Sequence, residues 1–199
     1  MINQELVQYY DTNVRSSQNI RKVRDCGMVL MNRDLNHVLL IHQRESQKWG
    51  FPKGHMTMRE IERKDYFQCA KRELFEETGI ILSTNKYTRL GKVIINNKLF
   101  YIVCIHKDHI YAKPIDVNEI DDARWMDVNQ LGMFVRNYPC NRTLKEFVQL
   151  CEQAYIKTMR ANGRPPPPGF NSLPMYDPPL PQRLLPIDYS PSAPQGVTV

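Results

Sequence analysis

The sequence of 199 residues lacks long apolar runs and closely spaced cysteines. Its longest apolar run, residues 99–105, is far shorter than the roughly 20 residues that a membrane-spanning helix needs. The five cysteines are scattered, without the C-x-x-C spacing typical of zinc and redox sites. The N-terminus shows no basic segment followed by an apolar core, so no secretory signal is predicted. We therefore expect a soluble, cytoplasmic protein with structural cysteines.

Acidic residues are too few to balance the basic ones. The chain has 27 Lys and Arg against 21 Asp and Glu, which gives a net charge of +6. This excess favours a polyanionic ligand, although many basic proteins bind no nucleic acid. The hydrophobic content of 42% is ordinary for a globular domain, so composition excludes neither an enzyme nor a binding module.

Proline is scarce before residue 164, yet eleven of the fourteen prolines follow that position. We therefore predict an N-terminal extension at residues 1–22, a folded domain at 23–163 and a Pro-rich tail at 164–199. Such a tail buries too little apolar surface to offset the entropy of ordering it. Two interpretations stay open: a disordered tail, or a strip that docks in the aromatic-lined groove of a proline-motif-binding domain.

Apolar periodicity predicts alternating strands and helices. One helix is predicted from about residue 62 to residue 78, with Gly79 as a left-handed cap, and a second at residues 143–160. An extended piece covers residues 49–54. Strands are predicted at residues 26–31 and 37–41 as a hairpin, at 93–95 and 99–105 around an Asn-Asn-Lys turn, and at 123–126. This order favours an α/β fold with a mixed sheet.

The first helix carries an unusual acidic face. Glu73, Glu76 and Glu77 are spaced i, i+3 and i+4, so their carboxylates share one side of the helix. They repel one another, and the negative end of the helix dipole lies close by. Mg²⁺ or Mn²⁺ ions would offset this charge, and Arg72 could add an ion pair. For an isolated pattern of this kind, a solvated acidic face is the alternative.

Residues 72–80, RELFEETGI, together with Gly54 upstream, resemble the end of the Nudix box, R-E-U-x-E-E-x-G-U, where U is a bulky apolar residue. The resemblance implies the Nudix fold, an α/β/α sandwich. It also implies that Glu73, Glu76 and Glu77, helped by the Gly54 carbonyl, bind two or more Mg²⁺ or Mn²⁺ ions. Arg72 and Gly79 would be structural residues of the motif.

The sequence departs from the usual box at one point. There, a glutamate lies six residues after the glycine and eight before the arginine, whereas Gly54 and Arg72 are separated here by four extra residues. Glu60 fits the first count and Lys64 occupies the second. A longer loop is expected, and three acids remain candidates to brace the arginine: Glu60, Glu62 and Asp65.

Residues 49–54 (WGFPKG) and 118–131 (NEIDDARWMDVNQL), with the box, resemble the catalytic subunit of the eukaryotic mRNA-decapping enzyme over roughly residues 23–150. The compact form also resembles decapping hydrolases of large DNA viruses. The resemblance implies capped RNA as substrate, 7-methyl-GDP and 5′-monophosphate RNA as products, and Glu119 as general base. Glu76 would join it as a catalytic carboxylate, and Lys53 would neutralise a phosphate oxygen. The C-terminal helix takes the place of the family's RNA-binding helix, with candidate contacts Arg142, Lys145, Lys157 and Arg160.

Two other functions stay open. Residues 52–55 (PKGH) also resemble the P-K-G-H of diadenosine tetraphosphate hydrolases, which favours small dinucleoside polyphosphates, and inositol pyrophosphates are a related class of substrate. A non-catalytic Nudix-like binding module is the third reading. Its signature would be the loss of a metal ligand, and none is lost here.

Overall fold

The computed structural model describes residues 20, 22–107 and 110–162, apart from the side chains of residues 158 and 159. The tail, and the N-terminal extension except residues 20 and 22, lie outside these residues. The strands are β1 (Asp25–Met31), β2 (His37–Gln43), β3 (Lys48–Gly50), β4 (Lys53–His55), β5 (Tyr87–Ile95), β6 (Lys98–Ile105) and β7 (Ile120–Asp127). The helices are α1 (Met58–Arg63), α2 (Tyr66–Thr78), α3 (Leu131–Asn137) and α4 (Arg142–Ala161), with a 3-10 turn at Val128–Gln130.

The sheet is mixed, with the order β3-β2-β1-β6-β5. β1 runs parallel to β6 along its whole length, whereas β4 pairs with the start of β1 in the antiparallel sense. β2 pairs antiparallel with β3 and β7, and meets β1 only at Met31 and Val38. The predicted β1–β2 hairpin is therefore only partly right. Both strands and their turn exist, but β1 pairs mainly with β4 and β6, and β2 pairs mainly with β3 and β7.

Two apolar cores lie on opposite faces of the sheet. Along β1, Val29 and Met31 join one core while Met28 and Leu30 join the other, as the alternation of side chains in a strand requires. α3 and α4 cover the first core, and α2 covers the second. The predicted α/β/α sandwich with a mixed sheet is confirmed.

The β5–β6 hairpin is also confirmed. Ile95 pairs with Lys98, and the two turn residues, Asn96 and Asn97, have φ values of 51° and 59°. Asparagine tolerates this left-handed conformation, which matches the twist of a two-residue hairpin. β5 begins at Tyr87, well before the predicted residue 93, because its first half is largely exposed and has no apolar signal.

Both predicted helices end where the sequence indicated, but the first of them begins at a different residue. The N–H of Gly79, at φ 71°, donates to Phe75 O at 2.7 Å and ends α2 as predicted. α4 agrees with its prediction to within one residue at each end. The helix predicted from residue 62 is instead divided between α1 and α2, and α3 was not predicted. No helix in the described ranges has the length and apolar character needed to cross a membrane.

Candidate active site

β4 fixes the start of the motif against the centre of the sheet. Lys53 pairs with Gly27 and Gly54 with Cys26 of β1. The adjoining Pro52 O accepts a hydrogen bond from Met28 N at 2.9 Å. An added Cβ at Gly54 would overlap the carboxylate of Glu73, which would have to move away from the strand. The backbone of Gly54 and the first acidic side chain of α2 are thus in direct contact.

The four extra residues between Gly54 and Arg72 are accommodated by a break between two helices. Thr57 begins α1 with a capping box, in which its hydroxyl accepts from Glu60 N and the Glu60 carboxylate accepts from Thr57 N at 2.8 Å. Lys64 ends α1 in the left-handed conformation at φ 57°, and α2 begins after Asp65. The Thr57-x-x-Glu60 spacing is a helix-start signal that was readable from the sequence.

Arg72 joins the acidic residues, and Glu60 is its brace. Its Nε and Nη2 donate to the two Glu60 oxygens, both at 3.2 Å. Its Nη1 donates to Glu73 Oε1 at 2.6 Å and to Glu76 Oε2 at 2.8 Å, while Nη2 also reaches His55 O at 2.8 Å. Of the three acids left open by the sequence, Glu60 makes this contact, and Glu62 and Asp65 are exposed.

Burial raises the pKa values of Glu60 and Glu73, whereas hydrogen bonds and charge from Arg72 lower them. Burial alone would raise the pKa of Glu60, but hydrogen bonds from Arg72 and Thr57 outweigh it and lower that pKa. Burial raises the pKa of Glu73, and the charges of Glu76 and Glu119 add to this against the pull of Arg72. Arg72 therefore offsets only part of the burial and of the acidic repulsion that disfavour a charged Glu73.

Glu77 is the most deeply buried of the three motif glutamates, at 2% exposure. Its Oε2 accepts from the backbone N–H of Lys53 at 2.7 Å. Burial raises the pKa of Glu77 to about 8; the Lys53 N–H and ammonium oppose the shift, and the charges of Glu73 and Glu119 reinforce it. The positive charge around Glu77 is therefore too small to offset its burial and the negative charge of its neighbours.

A loop brings Glu119 to the acidic face. The last carbonyls of α2 have no partners within the helix. Glu76 O accepts from the backbone N–H groups of residues 115 and 116, and Thr78 O accepts from that of Lys113 at 2.8 Å. Glu119 follows in this anchored segment, with its own N–H directed to Asp116 O at 3.3 Å. Its charge acts on both Glu73 and Glu77.

The structure thus groups Lys53, Gly54, the motif glutamates and Glu119. In the described ranges, no three His, Cys, Asp or Glu side chains already surround one point as a bound ion requires. The Arg72 guanidinium takes one oxygen each from Glu73 and Glu76 instead. The donor set still suits hard divalent cations: carboxylate oxygens, a backbone carbonyl beside them, and uncompensated negative charge.

The predicted RNA contacts are spread along α4 rather than grouped. Arg142 begins the helix and pairs with Glu146 at 2.8 Å. Lys145, Lys157 and Arg160 are exposed farther along it. At a rise of about 1.5 Å per residue, the helix separates the first and last of these four residues by roughly 27 Å. They form no compact site.

Comparison with known sequences identifies the family. The model of the NUDIX domain matches residues 21–149. The mRNA-decapping enzyme subunit 2 of Saccharomyces cerevisiae (strain YJM789) is 29% identical over 110 residues, which are 53% of this chain and 11% of the yeast protein. The m7GpppN-mRNA hydrolase of S. cerevisiae (strain ATCC 204508 / S288c) gives the same values. The aligned part therefore spans about a tenth of the length of these relatives.

Solved structures with similar folds are more distant in sequence. The Ap4A hydrolase of C. elegans, in a binary complex, is 17% identical with a TM-score of 0.48, and the match covers 70% of this chain and 99% of that one. DR0079 of Deinococcus radiodurans is 15% identical with a TM-score of 0.49, covering 69% and 87%.

The family model spans most of the chain, and it includes the whole motif from Gly54 to Ile80. Each defined position of the RELFEETGI segment is occupied, and its side chains lie as described above. The chain therefore belongs to the Nudix family, whose members are phosphoanhydride hydrolases.

Proposed function

We propose that this protein removes the 5′ cap of mRNA in the cytoplasm and releases 7-methyl-GDP and 5′-monophosphate RNA. One juxtaposition carries the proposal. The loop anchored on the end of α2 holds Glu119, inside the N-E-I segment that resembles the decapping enzyme, where its charge acts on Glu73 and Glu77. The similarity to yeast decapping proteins supports the choice of substrate.

Glu73, Glu76, Glu77 and the Gly54 carbonyl would hold two or more Mg²⁺ or Mn²⁺ ions. When bound, such ions neutralise the polyphosphate and make a nearby water more acidic. For the glutamates to act together, Glu73 and Glu76 have to give up their shared donor, Arg72 Nη1. Arg72 keeps its two bonds to Glu60 after that exchange, so the helix remains braced.

Glu119 would take the proton of the attacking water as the water oxygen bonds to phosphorus. The bridging P–O bond breaks, and its electron pair leaves with 7-methyl-GDP. The Glu119 side chain is exposed, so a water molecule can reach its carboxylate oxygens. The Lys53 ammonium, whose positive charge acts on Glu77, would neutralise a phosphate oxygen beside that carboxylate.

A second candidate is the hydrolysis of small dinucleoside polyphosphates, or of inositol pyrophosphates. The observation that favours it is the PKGH segment at residues 52–55. The His55 side chain is 88% exposed, with its Nε2 at 3.2 Å from Asp25 Oδ1. It is accessible to a free ligand. The third candidate is a binding module with the Nudix fold and no turnover.

An assay with four substrates separates these functions. Purified full-length protein is incubated with RNA labelled in the cap, with the free cap dinucleotide, with diadenosine tetraphosphate and with an inositol pyrophosphate, each with Mg²⁺ or Mn²⁺. We expect labelled 7-methyl-GDP from capped RNA at a far higher kcat/KM than from the free dinucleotide. Preference for a small substrate favours the second candidate, and no product in any arm favours the binding module.

Glu119→Gln tests the proton acceptor. The amide preserves size and loop geometry but cannot take the proton, and a general base contributes roughly 10²- to 10⁴-fold to rate. We expect kcat to fall within that range, with little change in the melting temperature or in RNA binding. Asp121→Asn, a change of the same kind in β7 near the loop, serves as control. Full activity of Glu119→Gln would remove this residue from the mechanism.

A further inference from the structure

We propose that a cavity between the β5–β6 turn and the start of α4 binds a phosphate group of the substrate, at a position beyond the bond that is cleaved. The inference rests on the proposed function, because it assumes a substrate with a phosphate chain at the motif glutamates. It assigns a role to Asn96, Asn97 and Lys98, which the hydrolytic site does not use.

The cavity is an open pocket in the protein surface and measures about 480 Å³. Its wall combines cationic side chains with amides and contains no Asp or Glu; the principal contributors are Lys53, Lys98, Arg142, Asn96, Asn97 and Asn141. Ammonium and guanidinium groups offset the charge of a phosphate, and amide N–H groups donate to its oxygens. A wall of this kind repels divalent cations and suits an oxyanion.

Rigid elements hold these residues together. β4 and β6 pair with the same stretch of β1, so that Lys53 lies opposite Gly27 and Lys98 opposite Asp25. Asn141 fixes the start of α4 beside the sheet: its N–H donates to Trp49 O at 2.8 Å, and its Oδ1 accepts from Leu144 N at 2.9 Å. The cavity is thus part of the framework and does not depend on a long loop.

The charges around the cavity leave a positive excess. Lys98 is paired with Asp25, and Arg142 with Glu146. The second pair is exposed, with the Arg142 side chain at 81% exposure, and exposed pairs of this type are weak and readily exchanged for a stronger partner. Among the described residues, no carboxylate lies within ion-pair distance of Lys53. Arg142 is thus available to a phosphate in the cavity, and Lys53 has no ion pair among the described residues, although its charge also acts on Glu77.

Lys53 links the cavity to the hydrolytic site. Its N–H binds Glu77 and its ammonium acts on the same carboxylate, while its side chain also lines the cavity. A phosphate chain that passes Lys53 therefore enters the cavity next. Asn96, which lines the cavity, has a buried Nδ2 without a hydrogen-bond partner among the described residues.

Two pairs of matched variants test this site in the full-length protein. Arg142→Gln removes a cavity cation, and Arg136→Gln removes another exposed arginine that pairs with a glutamate, Glu152, but lies outside the cavity. Asn96→Gly removes a cavity amide at a left-handed position, and Asn85→Gly does the same at φ 68° elsewhere. Glycine suits both backbones, and all four variants should fold.

Affinity is measured for a fluorescent single-stranded RNA with a 5′-monophosphate, and KM for diadenosine tetraphosphate. We expect Arg142→Gln and Asn96→Gly to weaken one of these ligands by roughly fivefold to tenfold, and the two controls to change neither. If the phosphate belongs to RNA, the salt dependence of RNA affinity should also decrease by about 0.7 in slope for Arg142→Gln. If it belongs to a free nucleotide, only the KM should rise.

The inference is wrong if both cavity variants bind both ligands like the wild type, or if each control loses as much as its partner. Its failure is distinguishable from that of the proposed function. Wild-type protein that does not decap RNA, while the cavity variants lose affinity, contradicts the function and keeps the cavity. Wild-type protein that decaps RNA, together with cavity variants of unchanged affinity, supports the proposed function and contradicts the cavity site.

Discussion

At the scale of single residues, Arg72 stabilises a group of acids that would otherwise repel one another. Its planar guanidinium contacts Glu60 on one side and Glu73 and Glu76 on the other. A lysine has one charged nitrogen and could not make this set of fixed contacts. Because a guanidinium stays charged at any pH at which proteins fold, the arrangement does not depend on its titration.

Replacing Glu60 by Gln should destabilise the protein while preserving the start of α1. Glutamine still accepts the Thr57 N–H in a capping box, so the change removes mainly the charged bonds to Arg72. We expect the free energy of unfolding in urea to fall by about 1–3 kcal/mol. Glu62→Gln, at an exposed position of the same helix, should change it by less than about 0.5 kcal/mol. Equal stability of the two variants would contradict the brace.

Glu77 should make the metal-free protein less stable as pH rises. Its pKa is raised from an ordinary 4.5 to about 8 in the folded state. Between these values the unfolded chain loses the proton and the folded chain keeps it, so folding becomes less favourable by up to about 1.4 kcal/mol per pH unit. Below pH 4.5 both states are protonated and the penalty vanishes.

Melting temperatures in EDTA from pH 5 to pH 8 check this prediction. The wild type should lose stability across the range relative to Glu77→Gln, in which no proton is exchanged and the amide oxygen still accepts the Lys53 N–H. Mg²⁺ should stabilise the wild type more at pH 8 than at pH 5, because it competes with the proton for the carboxylate. Parallel curves for the two proteins in EDTA would refute the raised pKa.

The sequence identified the motif residues but not the brace. Glu73, Glu76 and Glu77 were readable because their spacing on a helix fixes their common face. The partner of Arg72 was not readable, since its position after a four-residue insertion depends on where the helix breaks. That break is set by Lys64 in a left-handed conformation, which is unusual for a residue with a Cβ.

At the scale of elements, the end of α2 serves as an anchor for the loop that carries Glu119. Three backbone N–H groups of residues 113–116 supply the hydrogen bonds that the last turn of a helix lacks. Gly79 makes the close approach feasible: its φ is 71°, and an added Cβ would lie 2.7 Å from Lys113 O. Backbone hydrogen bonds therefore hold the end of α2 and this loop together.

Gly79→Ala should lower turnover through this loop. The left-handed backbone costs alanine about 1–2 kcal/mol, and the contact with the Lys113 carbonyl pushes the loop away. A displacement of about 1 Å at Glu119 is enough to reduce kcat by roughly tenfold to a hundredfold. Gly132→Ala is the control, because its Cβ meets only the flexible ends of Glu152 and Arg136. Turnover equal to that of the control would show that the loop is not coupled to Gly79.

The sequence predicted elements well where apolar periodicity marks them and poorly elsewhere. α4 was placed to within a residue because its apolar side is long and regular. α1 was missed although Thr57 and Glu60 form a capping box, since six residues are too few for a periodic pattern. The limited pairing of β1 with β2 was not predictable either, because it depends on β6, which lies far away in the sequence.

At the scale of the whole molecule, the two cores close on both faces of the sheet within the described residues. β1 is buried along its entire length, as expected for a strand between two layers. The core under α4 is completed by Phe147, Val148 and Ala154, before the proline-rich composition begins. Among the described residues, this core therefore needs α4.

A chain that ends at residue 162 should melt within about 2 °C of the full-length protein and hydrolyse small substrates at the same rate. For a domain of this size, a loss of 1 kcal/mol lowers the melting temperature by roughly 2–4 °C, so packing of the tail against the domain would be visible. A chain that ends at residue 150 is the control: it removes Ala154 and the last turns of α4 from the core, and should melt well below both. If ending the chain at 162 lowers the melting temperature as much as ending it at 150, the predicted boundary at residue 163 is wrong. If it leaves stability unchanged but abolishes the capture of a proline-motif-binding domain, the tail is a docking strip, because such a loss requires no contact with the folded unit.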